Sequence, residues 1–224
     1  MTDIVLDTFT DTNGTGLASH TPDTAPGGFS WTVWKDGGSD PTYQIQSNKC
    51  QPNDSGDGQS RGYNGDTGVS DCTISIEGTC NAVNPLWPEI TFRGSAAGTR
   101  GWIVVWFAET DTVTLYNPSS TQIDTDSLAL DLSDSFRITV TLSGQEITVL
   151  AENLTDVTDV TLTATSSAGE TDTVHGFGAR TAFGSGASDR FDNFLVEIDT
   201  FLQGPKRMRN IRRSRVPGPV TVYD

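Results

Sequence analysis

The chain is poor in the residues that usually carry catalysis. Histidine is limited to His20 and His175, and cysteine to Cys50, Cys72 and Cys80. Two histidines leave little room for a His-based triad or a multi-histidine metal site. His20 precedes Thr21-Pro22 in an expected loop and His175 sits in an expected strand before Gly176, so both read as local hydrogen-bonding groups. The three cysteines cannot all pair, and their spacing lacks the CxxC or nearby Cys/His pair of a zinc site. A reducing compartment makes free thiols the expectation, with a Cys72–Cys80 bridge as the alternative. No window approaches the roughly 18 apolar residues of a membrane-spanning helix, so no membrane partner is expected. Met1-Thr2-Asp3 opens without a basic or apolar leader, which predicts a protein made and kept in a cytoplasm. Walker and Rossmann glycine motifs are also missing; the glycines follow turn logic.

What is abundant points to strands. The chain of 224 residues has 23 glycines and many Thr, Ser and Asp, a composition of strands and tight turns, and its length can bury a core without metal or disulfide staples. Strands are predicted over 4–9, 29–34, 42–46, 73–77, 89–93, 101–108, 112–116, 128–132, 135–142, 146–150, 159–164, 173–179 and 191–199. Asn-Gly, Gly-Gly, Ser-Gly and Asn-Pro pairs punctuate them, as in a sandwich. Phe136, Ile138, Val140 and Leu142 alternate with Arg137, Thr139 and Thr141, giving one buried and one wet face; Ser143-Gly144 then turns the chain so that Ile147 and Val149 resume the buried face. The run Trp102 to Phe107 has no polar relief and predicts a strand covered on both faces. Residues 48–71, rich in Gly, Asp, Ser and Asn, are expected to form a long surface loop.

Charge is split along the sequence. Residues 201–224 carry Lys206, Arg207, Arg209, Arg212, Arg213 and Arg215 against Asp224, a net +5, while residues 1–200 hold eight basic and 28 acidic residues, a net −20. An acidic body is thus joined to a basic arm that would seek an acidic surface. Gly204-Pro205 breaks the chain at the junction, so residues 1–200 are expected to be the folded domain and 201–224 an extended arm.

The pattern resembles the concanavalin A-like lectin/glucanase superfamily, in particular the laminin-G-like jelly rolls common in bacterial and phage proteins. The resemblance is carried by Asp7-Thr8-Phe9-Thr10-Asp11 near the start and Phe191-Asp192-Asn193-Phe194-Leu195-Val196 near the end. Between them come Ile90-Thr91-Phe92-Arg93, Val113-Thr114-Leu115-Tyr116, Phe136-Arg137-Ile138-Thr139-Val140 and His175-Gly176-Phe177-Gly178, in the order such folds show. The similarity implies an all-β, two-sheet antiparallel jelly-roll sandwich with an extended C-terminal arm, its first and last strands paired side by side. Related jelly rolls often hold a structural calcium near their termini, for which Asp7 and Asp192 are the matching candidates, turn-capping being their other reading.

A retaining glycosidase on such a fold needs two carboxylates about 5 Å apart, and no Glu-x-Asp-x-x-Glu-like cluster is present. Glu109 and Asp111 come nearest, at an expected hairpin tip, so no enzyme activity is expected. Glycan binding would draw on aromatic faces: Trp31, Trp34, Tyr63 and Trp87, the last expected in a loop, are the candidates, each competing with a packing role. The basic arm has almost no apolar residues with which to fold alone, and a protein partner is favoured over nucleic acid. Together these features favour a non-enzymatic, homo-oligomeric virion structural protein of a bacteriophage: a capsid decoration, head-fibre or tail-associated subunit held to other virion proteins by its arm. The alternative is a carbohydrate-binding module for host surface glycans; a glycan-cleaving enzyme ranks last.

Overall fold

The computed structural model describes residues 2–38, 40–52, 59–80, 86–181 and 190–198. The basic cations Lys206, Arg207, Arg209, Arg212, Arg213 and Arg215 lie outside them. The described residues form fifteen strands and one 3₁₀ turn, Leu17–Ser19. The strands are β1 (Thr2–Asp7), β2 (Thr32–Lys35), β3 (Tyr43–Ile45), β4 (Cys50–Pro52), β5 (Ser60–Asp66), β6 (Thr73–Thr79), β7 (Leu86–Gly94) and β8 (Trp102–Phe107). They continue as β9 (Thr112–Tyr116), β10 (Gln122–Ser127), β11 (Ser135–Ser143), β12 (Glu146–Asn153), β13 (Thr158–Thr165), β14 (Val174–Thr181) and β15 (Arg190–Ile198). Among the described residues no helix is long and apolar enough to cross a membrane.

Two antiparallel sheets make a jelly-roll sandwich. One runs β13-β12-β11-β6-β15-β4-β3, with β1 also paired to β15; the other runs β10-β9-β8-β7-β14-β5-β2. The first and last strands pair as the resemblance implies, from Thr2 opposite Ile198 to Asp7 opposite Phe194. β15 can serve both β4 and β1 because its ladder shifts between Asp192 and Leu195, where Asn193 takes a left-handed φ of 50°. Asn tolerates that conformation better than most side chains.

The core fills the space between the sheets, and strand alternation decides what enters it. From β11 and β12 come Phe136, Ile138, Val140, Ile147 and Val149, while Arg137 points outward and pairs with Glu77 and Glu152 on the flanking strands. The hairpin between these strands turns at Gly144 with φ 55°, as the Ser-Gly pair predicts. Phe177 is the hub of an aromatic cluster, its ring centroid 5.2–5.5 Å from those of Phe9, Trp31, Phe191 and Phe194. Fully burying such a side chain contributes about 1.5–3 kcal/mol.

Two expectations need correction. The strand expected at 128–132 lies earlier, at β10, whose sequence QIDTDS is almost wholly exposed; Leu128 and Leu130 are buried instead as core-filling residues after the strand, and Trp106 Nε1 donates to Leu128 O at 2.8 Å. The expected loop at 48–71 contains β4 and the buried β5. β5 reads as a loop because Gly62 and Gly65 stand where apolar residues would mark a strand. A Cβ at Gly62 would sit 2.2 Å from Phe177 O, so glycine is what lets β14 come this close.

Candidate functional site

β8 lies third from one edge of the seven-stranded sheet and carries apolar residues on both faces. Trp102, Val104 and Trp106 enter the main core, whereas Ile103 and Val105 join Trp34 in a second cluster on the sheet's other face, with Trp87, Phe107 and Tyr116 packed against it. This explains the run without polar relief. The glycines of the neighbouring strands make room on that outer face: a Cβ at Gly178 would lie 2.7 Å from Trp34 Cζ2 and 2.4 Å from Arg61 O.

A cavity of about 230 Å³ opens on this face. Ile103 and Val105 supply apolar lining, Phe107 and Tyr116 aromatic lining, and Asp36, Ser60, Arg100, Ser120 and Arg180 polar groups. The volume lies below the ~300–1,000 Å³ of drug-sized sites and suits a single small ring. The aromatic rings run in series, Trp87 edge-on to Phe107 at 4.9 Å and Phe107 edge-on to Tyr116 at 6.5 Å. Arg180 lies over the Trp87 ring, its guanidinium carbon 5.0 Å from the centroid. Arg100 pairs with Asp36 through Nη1 and donates to Ser120 Oγ through Nη2 at 2.8 Å. Behind Ser60, whose hydroxyl donates to Glu89 Oε1 at 2.7 Å, the Glu89 carboxyl is wholly buried and its Oε2 has no hydrogen-bond partner among the described residues. Burial pushes the Glu89 pKa up to about 8, against the downward pull of Ser60, so the group is neutral at pH 7.

The four aromatic candidates therefore part company. Trp31 is 3% exposed and Tyr63 4%, and both hold polar atoms inward: Trp31 Nε1 donates to Asp7 Oδ2 at 2.9 Å and Tyr63 Oη to Pro41 O at 2.9 Å. Trp34 is fully buried in the second cluster. None of the three offers a face to a ligand. Trp87, half-buried, sits on β7 rather than in a loop, beneath Arg180 and beside Phe107. It braces two cavity residues. Sequence reasoning missed Phe107, Tyr116, Arg100, Asp36 and Arg180, which come together only through the pairing of distant strands.

The two residues proposed for calcium, Asp7 and Asp192, are engaged with other partners. Asp7 is fully buried, with Oδ1 accepting from Phe9 N at 2.7 Å and facing His20 Nε2 at 2.9 Å, while Oδ2 takes the Trp31 indole. Asp192 instead pairs with Lys49 at 3.0 Å. Among the described residues no cluster of three or more His, Cys, Asp or Glu is placed to hold a metal ion. His20 bridges two carboxylates, with Nδ1 3.1 Å from Asp11 Oδ2. Burial opposes charge on this ring, but the hydrogen bonds to Asp7 and Asp11 outweigh it and the His20 pKa is raised. The network ties the start of the chain to the 3₁₀ turn.

Cys72 and His175 also meet, Sγ to Nε2 at 3.6 Å. Burial drives Cys72 up to about 12 and His175 down to about 4, so thiol and imidazole are both neutral at pH 7. His175 Nε2 also lies 2.8 Å from Val69 O, and its Nδ1 accepts from Arg93 N at 3.3 Å. These contacts make a structural pair rather than an activated nucleophile. All three cysteines are buried, and among the described residues none is joined in a disulfide. Glu109 and Asp111 are exposed in the turn between β8 and β9. Among the described residues one carboxylate, Asp36, lines the cavity, and it is committed to Arg100.

No protein-family profile matches the chain, and no curated protein sequence does. Solved structures do match. The VIP36 exoplasmic/lumenal domain in its Ca2+/Man2-bound form superposes with a TM-score of 0.56 at 7% identity, over 95% of this chain and 97% of that one. The carbohydrate binding module CBM66 from Bacillus subtilis superposes with a TM-score of 0.52 at 16% identity, over 75% of this chain and 97% of that one. These likenesses show a shared jelly-roll sandwich fold.

Proposed function

We propose that this chain is a carbohydrate-binding domain and that sugar binds in the cavity on the outer face of the seven-stranded sheet. The observation that carries the reading is the placing of Phe107 and Tyr116 beside Ile103 and Val105, with Ser60, Ser120, Arg100, Asp36 and Arg180 around them. A sugar ring presents apolar C–H faces and a belt of hydroxyls. Aromatic and aliphatic side chains match the first, and a few placed polar groups match the second. The structural likeness to a carbohydrate binding module and to a mannose-bound lumenal domain supports this reading. A binding role also suits a lining in which, among the described residues, the one carboxylate is paired with an arginine, since glycoside hydrolysis needs two.

A glycan array followed by titration calorimetry tests it. Binding to at least one glycan is expected, with Tyr116→Ala and Phe107→Ala each weakening it tenfold or more in variants that circular dichroism shows to be folded at the assay temperature. Trp87→Ala should weaken it less, because that ring acts through Phe107 and Arg180. An array with no binding, or variants that bind as the parent does, would reject the site.

The attachment reading stands beside it as a second proposal: a virion subunit whose residues 201–224 dock on an acidic protein surface and leave the sandwich outermost. The +5 arm on a −20 body supports it. Particles assembled with a chain lacking 201–224 should lose the protein; normal incorporation would remove this reading and leave sugar binding intact.

A further inference from the structure

The acidic charge of the body is concentrated on one side. Residues 101–179, which build β8 to β13 and most of β14, hold twelve acidic residues and a single base, Arg137. Arg137 is already shared between Glu77 and Glu152. β13 ends one sheet and β10 ends the other, and the two edges meet where Thr163 N donates to Asp124 Oδ2 at 2.9 Å. Asp124 and Asp126 lie on β10, Asp131 follows it, and Asp156 and Asp159 stand at the opening of β13. Among the described residues no ion pair involves any of these five.

The same side carries the apolar residues that the core leaves out. Three large apolar side chains are exposed among the described residues: Ile123 on β10 at 44%, Leu132 after it at 57% and Val157 before β13 at 87%. Asn153 ties the last two segments together, its Nδ2 donating to Ala129 O at 3.1 Å and to Asp156 Oδ2 at 3.3 Å. β10 itself is exposed along nearly its whole length. An open sheet edge is a template for pairing with another chain, and here only a cationic chain escapes repulsion.

Residues 206–216 are such a chain: Lys206, Arg207, Arg209, Arg212, Arg213 and Arg215 are interleaved with Met208, Ile211 and Val216. They follow β15, which is not beside β13. Glu197, Thr73, Thr141, Thr148 and Thr163 stand in register across β15, β6, β11, β12 and β13, so four inter-strand steps of ~4.8 Å, about 19 Å, separate the end of β15 from the acidic edge. The source and the target of the contact occupy different places on one molecule. Two copies can therefore exchange arms and make the same contact twice.

We propose, building on the attachment reading above, that the acidic surface the arm seeks is the β10–β13 edge of a second copy of this chain. Its arginines meet Asp124, Asp126, Asp131, Asp156 and Asp159, and its apolar residues cover Ile123, Leu132 and Val157. Bodies of net −20 otherwise repel one another, so association depends on the arms. It weakens with salt, which screens exposed charges beyond about 8 Å at physiological strength.

Sedimentation velocity of the full chain, over an about hundred-fold range of concentration, tests the proposal. In about 50 mM salt the mass should rise with concentration toward that of a pair, and about 500 mM salt should weaken association about ten-fold or more. Two variants should each stay monomeric: one combining Arg207→Gln, Arg209→Gln, Arg212→Gln and Arg213→Gln, the other combining Asp126→Asn, Asp131→Asn and Asp159→Asn. The three aspartates are exposed, so their replacement spares the core. Mixed, the two variants should associate, because the first brings an intact edge and the second an intact arm. A parent that is monomeric throughout, variants that associate as the parent does, or a mixture no heavier than its parts overturns the proposal; an arm folded onto its own edge gives the first of these results. The attachment reading is judged separately by particle incorporation: if incorporation needs the arm while the parent is monomeric, the arm docks on an acidic surface of another protein.

Discussion

Glu89 and His175 are fully buried on adjacent strands, and burial moves them in opposite directions, to about 8 and about 4. The folded state keeps a proton on Glu89 that the unfolded chain releases above its usual value of 4.5, so stability falls as pH rises from there to about 8. His175 works the other way: its contribution is complete above 6.5 and is lost as pH falls toward about 4. The two oppose each other between 4.5 and 6.5, and above that only the Glu89 slope remains of the pair. His20, with its raised pKa, adds a loss of the same sign as Glu89. Urea unfolding between pH 6.5 and 8 should therefore show falling stability, about 1.4 kcal/mol per pH unit of it from Glu89, and Glu89→Gln should remove that share. An unchanged slope in the variant would mean that Glu89 is already ionised at neutral pH. A second residue carries strain of another kind. Val157, 87% exposed in the turn between β12 and β13, holds a φ of 57°, which is costly for a β-branched side chain. Val157→Gly is expected to stabilise the fold by about 1 kcal/mol, read as a higher urea midpoint.

At the scale of elements, close approach of β5, β14 and β2 depends on glycine. A methyl at Gly178 would meet Arg61 O and the Trp34 ring, so Gly178→Ala should cost about 1–3 kcal/mol and disturb Trp34 fluorescence, whereas Gly16→Ala, where a Cβ meets nothing, should be nearly silent. The same strands mark the limit of what the sequence disclosed. β11 and the first half of β12 were legible because Phe136, Ile138, Val140, Leu142, Ile147 and Val149 are large, buried and separated by polar residues, so the period of two is plain. β8 was legible from its unbroken apolar run, and the pairing of β1 with β15 from the resemblance. β5 was hidden because its buried positions are filled by Ser60, Arg61, Gly62, Asn64 and Gly65, whose burial depends on neighbours distant in sequence. β10 was hidden because its strand is polar and the leucines that drew attention follow it. The cavity was illegible for a related reason. Asp36, Ser60, Arg100, Tyr116 and Arg180 come from five separate segments, and no local spacing relates them. Trp31, Trp34 and Tyr63 drew attention as aromatics, but nothing in their spacing shows that their polar atoms or faces turn inward.

At the scale of the whole molecule, the sandwich closes on its own ends, and every strand of the fold lies within residues 2–198 among those described. Removal of 201–224 is expected to leave the melting temperature within about 1–2 °C of the parent, while the net charge of the chain changes from −15 to −20. A large drop would show that the arm packs on the sandwich. The pairing of Thr2 with Ile198 also sets how the domain responds to force. A load applied between the N-terminus and residue 198 pulls on the first rung of the β1–β15 ladder alone, so the hydrogen bonds break one after another, as in a zipper, rather than together in shear. A chain anchored only through its C-terminal side does not load that rung, and drag on the bound face passes through β15 into the centre of the eight-stranded sheet.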